Sequence, residues 1–261
     1  MVNNFEFIKP NQHVLDYVKY FWILEGTASE EVPYRHSTIP DGTGQLLFFI
    51  KGSTEGQNTV YYGPSIEAGE YILSEDFCIF GVCFYPFSIP FLCCTSAEKL
   101  LNKALSLNEI KPLGETVVVD KILTAERHQE RSHYFEDVIA KLIMQRKAKP
   151  SQIFAKIRHM LTSNDDTMLV NPTRQLQRLM KRHTGFTPKQ FSKILRLQNA
   201  IDEKQARNLT ELAGLSGYYD QSHFSNDFKQ LTGKAPKEYF VKRHPSLDWR
   251  AIGKEVAFFQ L

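Results

Sequence analysis

The side chains able to do covalent or metal chemistry are few and poorly spaced for it. All four cysteines, Cys78, Cys83, Cys93 and Cys94, lie between Phe77 and Ala97. They lack the paired Cys-x-x-Cys spacing of a zinc site, and Met1 to Glu6 carries no basic, then apolar, leader that would imply an oxidising compartment. Buried, reduced cysteine acting as a small hydrophobe is expected, with adjacent Cys93 and Cys94 as a thiol sensor the alternative. His13, His36, His128 and His133 stand far apart in the first half, so no metal is expected. Gly63-Pro64-Ser65-Ile66-Glu67 lacks the second glycine of a nucleophile elbow. Neither a phosphate-cradling glycine loop, a dinucleotide fingerprint nor a His-Glu-x-x-His run occurs. The chain is therefore expected not to be an enzyme, with no catalytic residue and no cofactor.

Binding chemistry is better supplied. Two segments of the second half share one layout: a short helix with Gln, Arg, Ser or Asn outward and large apolar residues inward. Each then ends in Thr-Gly with a Pro three residues on. One exit is Thr184-Gly185-Phe186-Thr187-Pro188 and the other Thr232-Gly233-Lys234-Ala235-Pro236. Glycine supplies a left-handed helix cap and proline starts the next helix, so both copies need those types. The apolar anchors Leu176 and Phe224 are 48 residues apart, which reads as an approximate duplication of a helix-turn-helix unit.

The elements that must position these segments divide the chain. In the first half, apolar runs at Tyr17–Leu24, Gln45–Ile50, Thr59–Tyr62, Glu70–Leu73 and Phe77–Tyr85 are separated by Gly, Pro and Ser, as in a small sandwich or barrel. Phe77 to Ala97 is 21 residues without a formal charge, yet Pro86 and Pro90 favour a buried strand and turn over a membrane span. From Ser96 the period turns helical: Leu100, Leu101, Ala104, Leu105 and Leu107 fit one face, Val117, Val118, Ile122 and Leu123 another, Phe135 to Ile143 a third. Past Pro150 everything reads as helix. Ser151 is placed as one cap, and Asn171-Pro172 and Thr187-Pro188 as two further starts. Residues 1–149 hold 14 Lys and Arg against 19 Asp and Glu, net −5, and residues 150–261 hold 18 against 10, net +8. The overall +3 thus conceals an acidic half and a basic half, the latter suited to nucleic acid.

Gly217-Tyr218-Tyr219-Asp220-Gln221-Ser222-His223-Phe224-Ser225-Asn226-Asp227-Phe228-Lys229, with Thr232 to Tyr239 after it, resembles the C-terminal signature of AraC/XylS-type transcription regulators. Leu176 to Phe191 resembles that family's first recognition helix and its exit, so the likeness runs from Asn171 to Arg243. More weakly, Pro40-Asp41-Gly42, Tyr62-Gly63-Pro64 and Phe80 to Pro86 resemble an effector-type domain found ahead of such regions. The resemblance implies two helix-turn-helix units, joined by a long helix, entering successive major-groove segments. It places Arg174, Gln177 and Arg178 of the first unit, and Gln221, Ser222, His223 and Asn226 of the second, toward base edges. Arg suits guanine, and Gln or Asn adenine. For His223, packing or capping stands beside base contact, and Ser222 can instead bond locally. Lys181, Arg182, Lys193 and Lys229 are placed at phosphates. The sequence departs from the family where only Asn164 to Val170 lies between the Ser151–Ser163 helix and Asn171. Either the scaffold helix is truncated or the Ser151 helix takes its place.

The expected fold is α+β. Residues 1–130 form a β-rich, sandwich- or barrel-like effector domain with helices, and 131–150 a linker helix and boundary. Residues 151–243 form an all-α double helix-turn-helix domain, and 244–261 a tail that packs back or meets a partner. The expected function is sequence-specific transcription regulation, as an activator in the cytoplasm. Double-stranded DNA is the partner, a small-molecule effector or homodimerisation the control, and RNA polymerase a further contact; no membrane is involved. The alternatives are a thiol-based or ligand-free dimerising sensor, and an enzyme fused to a DNA-binding domain.

Overall fold

The computed structural model of the 261-residue chain describes residues 2–53, 57–203, 206 and 208–241. The tail at 244–261, with its expected packing, lies outside them. The first half builds β1 (Val2–Ile8), β2 (Val18–Gly26), β3 (Tyr34–Thr38), β4 (Gly44–Lys51), β5 (Thr59–Tyr62), β6 (Gly69–Leu73) and β7 (Phe77–Phe84). The short helices α1 (Ser88–Leu92) and α2 (Ala97–Leu100) lead to β8 (Ala104–Leu105). Six strands form one antiparallel sheet in the order β1-β2-β7-β4-β5-β8, and β3 pairs with β6 as a separate ribbon.

The central strands read as unbroken apolar runs because both faces of the sheet are covered. Phe21, Ile23, Leu46, Phe48, Phe80 and Val82 point to the helices. Their chain neighbours Trp22, Leu24, Leu47, Phe49, Phe77 and Ile79 point to the side that Tyr71 and Leu73 of the ribbon close. The register fixes this alternation, with Trp22 opposite Gly81 and Phe48 opposite Phe80. The uncharged stretch from Phe77 becomes β7 and α1. No helix among the described residues is long and apolar enough to cross a membrane.

The helical face expected over Leu100–Leu107 is not one helix. Asn102 turns left-handed at φ 56°, its side-chain oxygen accepts from Ile66 N at 2.9 Å, and Ala104–Leu105 then pairs with β5. Beyond it come α3 (Leu113–Thr116), α4 (Val119–Leu123) and α5 (His128–Gln145). Among the described residues the elements of the second half are helices: α6 (Ile153–Ser163), α7 (Arg174–Thr184), α8 (Pro188–Asp202), α9 (Leu209–Leu215), α10 (Gln221–Thr232) and α11 (Pro236–Val241). Gln152, not Ser151, precedes α6, without a side-chain cap.

The helix-side core does not stop at the basic, proline-ended stretch 145–150. It runs from Phe21 and Phe80 through Phe135 and Phe154 to Met180, Phe191, Ile194 and Leu195. Phe87 of the first half stacks on Phe154 of α6 with ring centres 4.2 Å apart. A second, smaller core of Leu197, Ile201, Leu212, Tyr218, Phe224, Phe228 and Leu231 gathers the C-terminal half of α8 with α9 and α10.

Candidate nucleic-acid interface

Local sequence sets both ends of α7 and α10. At α7 the cap is Thr173, whose hydroxyl accepts from Leu176 N at 3.2 Å, so the start lies two residues beyond Asn171-Pro172. At α10 the cap is Asp220, whose carboxylate accepts from His223 N at 2.7 Å. Both helices close on a left-handed glycine, Gly185 at φ 77° and Gly233 at φ 73°. A side chain at either would meet the Cβ penalty of that region. Helix α8 starts from a capping box: Thr187 Oγ1 accepts from Gln190 N, and Gln190 Oε1 accepts from Thr187 N at 2.9 Å.

On α7, Arg174, Gln177, Arg178 and Arg182 are exposed, as is Gln175, while Met180 is buried. On α10, Gln221, Ser222, His223, Asn226 and Lys229 are exposed, while Phe224, Asp227, Phe228 and Leu231 are buried. Each helix therefore carries one polar outer face over an apolar inner one. Two of these side chains already have partners. Gln177 Nε2 donates to Pro172 O at 3.1 Å, and Thr210 Oγ1 donates to Gln221 Oε1 at 2.8 Å. His223 stands edge-on to Tyr218 and 3.5 Å from Asp227, yet half its side chain is open to solvent. Tyr219, in the turn before α10, is 96% exposed.

Two of the lysines expected at phosphates are engaged inside the protein. Lys193 Nζ lies 2.6 Å from the buried Asp227 carboxylate and donates to Gln230 at 3.2 Å, tying α8 to α10. Lys181 Nζ donates to Gly185 O at 3.0 Å and lies 3.3 Å from Glu98 of α2. Arg196 completes the bracing of α8: it pairs with Asp166 at 2.7 Å and its guanidinium lies over the Tyr218 ring. Sequence spacing could not place the acidic partners Asp227, Glu98 and Asp166, each 30 or more positions away.

Between α6 and α7 there is one 3-10 turn, Thr167–Leu169, held to α8 through Asp166. Helix α6 meets α7 through Phe154, whose ring stands edge-on to His183 at 5.1 Å. Burial, with Arg182 beside it, lowers the His183 pKa.

A helix-turn-helix family model matches residues 170–242, a span holding both capped helices and the helix between them. The matched span, residues 170–242, is an AraC/XylS-type helix-turn-helix domain. Part of it is 38% identical over 68 residues to the transcriptional activator RhaS of Pectobacterium carotovorum, covering 25% of this chain and 24% of that protein. It is 35% identical over 75 residues to an uncharacterised regulator, YidL, of Escherichia coli, covering 27% and 25%. The chain thus spans about a quarter of the length of the curated relatives it matches. Residues 6–106 match a domain of unknown function. Among solved structures, ToxT of Vibrio cholerae aligns over 92% of this chain and 98% of its own at 15% identity and TM-score 0.42. The match begins at residue 170, after α6 and the 3-10 turn.

The thiols differ from one another. Cys83 and Cys93 are buried and Cys78 half-buried, and burial pushes all three up to about 12. Cys94 departs from the expected burial: it is exposed, at φ 53°, with Arg146 Nη1 2.6 Å from its sulfur. Glu25, Cys78 and His128 bring possible ligand atoms within 4.8 Å of one another. Arg131 donates to His128 Nδ1 at 3.2 Å, however, which leaves the neutral ring's proton on Nε2, facing Glu25. The trio is knit by hydrogen bonds.

Proposed function

We propose that the chain is a sequence-specific transcription regulator that grips duplex DNA with α7 and α10. Residues 151–243 would form its DNA-binding part and residues 1–130 its regulatory part. The observation that carries this reading is the pair of equivalently capped helices, each with an exposed Arg, Gln or Asn face, held on one braced helix. Arg174, Gln177 and Arg178 would read bases in one major-groove segment, and Gln221, Ser222, His223 and Asn226 in the next. Arg182 and Lys229 would contact phosphates, joined by the hydroxyl of the exposed Tyr219. Lys193 serves as a strut that fixes the angle of α10, and Lys181 reaches phosphate only on leaving Glu98. The relatives' names support activation; contact with RNA polymerase, cytoplasmic residence and homodimerisation belong to the same proposal.

Control would pass from the β-rich half through the Pro40-Asp41-Gly42 turn. Gln198 of α8, itself buried, donates to Pro40 O at 2.7 Å. Gly42, at φ 75°, comes so close that a Cβ would lie 3.0 Å from Leu161 and 3.2 Å from Phe191. Ile39 packs on the second unit's core. A ligand that shifts this turn would move the helix joining both reading helices.

The test is selection of bound genomic fragments by the full chain, followed by footprinting and a salt titration. Two protected major-groove segments about 10 base pairs apart are expected. Affinity should fall steeply with salt, by about 0.9 in log K per log salt for each phosphate neutralised. Recovery of no common sequence would overturn the reading.

A further inference from the structure

The β-rich half holds a half-open cavity of about 340 Å³ between the large sheet and the β3–β6 ribbon. Rings build one wall. His36 and Tyr71 stack with centres 4.5 Å apart, Trp22 lies parallel to His36 within 4°, and Tyr62 lies parallel to Tyr71 within 11°. Trp22 is held in place by its indole N–H, which donates to Gln45 Oε1 at 2.9 Å, and by the bare face of Gly81. The Tyr71 hydroxyl is buried and has no hydrogen-bond partner among the described residues. A buried hydroxyl left unpaired costs about 1–3 kcal/mol, so an incoming polar group gains by meeting it.

Carboxylates outnumber cations around this wall. Asp41, Glu67 and Glu70 line the cavity against a single cation, Lys103. Glu70 is neutralised by Arg35 at 3.0 Å, which leaves two carboxylates to one ammonium. His36 adds no positive charge, since burial holds its pKa at about 4. Carboxylates attract a cation and repel a carboxylate ligand.

We propose that this cavity binds a small organic cation, an aryl- or alkyl-bearing amine or quaternary ammonium. Its charged nitrogen sits toward Asp41 and Glu67, and its apolar body lies on the Trp22–His36–Tyr71 wall. The inference rests on the regulatory reading of residues 1–130 and gives that reading its ligand class. Asp41 belongs to the turn that Gln198 and Gly42 couple to α8, so the occupant's charge acts where the two halves join.

The test is calorimetry on the full chain with ligand sets matched in shape and differing in charge. One set is 2-phenylethylamine, 2-phenylethanol and phenylacetate. A second is choline, 3,3-dimethylbutanol and 3,3-dimethylbutyrate. In at least one set the cation is expected to bind tenfold or more tightly than its neutral isostere, with no heat from the anion. Glu67→Gln, on an exposed loop, should reduce that preference severalfold, and Asp41→Asn should remove most of it. Asp41→Asn counts only if its melting temperature matches the wild type, because Asp41 also accepts from Thr43 N at 2.8 Å. Tightest binding by an alcohol or a carboxylate would overturn the cation assignment while leaving a ligand-controlled regulator standing. Failure of every member of both sets to bind or to alter DNA affinity would overturn both.

Discussion

The two helix-turn-helix units are copies in sequence and opposites in setting. The second unit closes its own core around Phe224 and Phe228 and touches the β-rich half chiefly through Ile39. The first has no separate core. Met180, Phe191 and Ile194 belong to the same apolar body as Phe21, Phe80 and Phe135 of the sheet. Its scaffold is reduced to a 3-10 turn, and its lost packing is replaced by α1, α2 and α6, with Lys181 against Glu98. A duplicated unit can therefore give up a helix when another surface of the chain takes over burial of its reading helix. The cost is independence: the first unit is built into the core of the β-rich half, whereas the second packs on α8 through a core of its own.

The largest effect expected of that difference is on stability. Phe191 and Phe228 are both fully buried, and truncation of either to alanine should cost about 3–5 kcal/mol. Phe191→Ala should accelerate amide hydrogen exchange across the sheet, α5 and α7 together. Phe228→Ala should accelerate it in α9, α10 and α11 alone. Equal spread of exchange from both variants would mean that the two units share one cooperative fold after all.

How much of this was legible in sequence follows from the range of the interactions involved. β2, β4 and β7 could be read because their residues are apolar on both faces, and β5 and β6 because short runs rich in aromatic and β-branched residues stand between turn formers. β1 and β3 were missed. The former is partly exposed along its length and pairs with β2; the latter, Tyr-Arg-His-Ser-Thr, is mostly polar and gains its place only by pairing with β6. Leu100, Leu101, Ala104 and Leu105 satisfy helical spacing, yet a left-handed Asn102 bonded to Ile66 diverts the chain, a contact 36 residues long. At the interface, the outward Arg, Gln and Asn residues were legible because helix period and Thr-Gly-x-x-Pro exits are local. The engagement of Lys193 by Asp227 and of Lys181 by Glu98 was not, since charge counting treats every lysine as available.

Acid should separate the two units next. His36 is buried and neutral, with its pKa lowered by burial to about 4 from the ordinary 6.5. The unfolded chain takes up that proton first. The stabilisation is therefore complete above pH 6.5 and is lost as pH falls from there toward 4, to a maximum of about 3 kcal/mol. His183 of α7 is shifted in the same direction. In the second unit, by contrast, His223 keeps half its side chain in solvent. Melting followed from pH 7.5 to 4.5 should show the sheet and α7 failing before α10, and His36→Phe should flatten that slope. Loss of α10 first would contradict the assignment.

DNA binding should then divide by unit. Arg178→Ala and Gln221→Ala should each cost about 1–3 kcal/mol on a cognate site and relax specificity at one position. Because α7 is rigidly seated, Arg178→Ala should leave protection of the second segment intact. Lys193→Met should weaken the second segment alone, by freeing α10 from α8. If both alanine variants footprint like the wild type, the reading faces are misassigned.

The smallest effect tests the contact that distinguishes the first unit most directly. Glu98 and Lys181 are each about half exposed, at 61% and 44%, so the pair adds well under 1 kcal/mol to stability. Glu98→Gln should leave the melting temperature within a degree or two. For DNA the same substitution removes a carboxylate beside the side of α7 proposed to meet phosphate, and frees the Lys181 ammonium. Affinity should rise two- to fivefold, and the salt dependence should steepen by about one phosphate. The corresponding change on the second unit, Asp227→Asn, should have the reverse sign, because Asp227 is buried and its removal strands Lys193 and loosens α10. Opposite signs would show that acidic partners restrain the first unit and build the second. A fall in affinity from Glu98→Gln would instead make the Glu98 contact a support for α7.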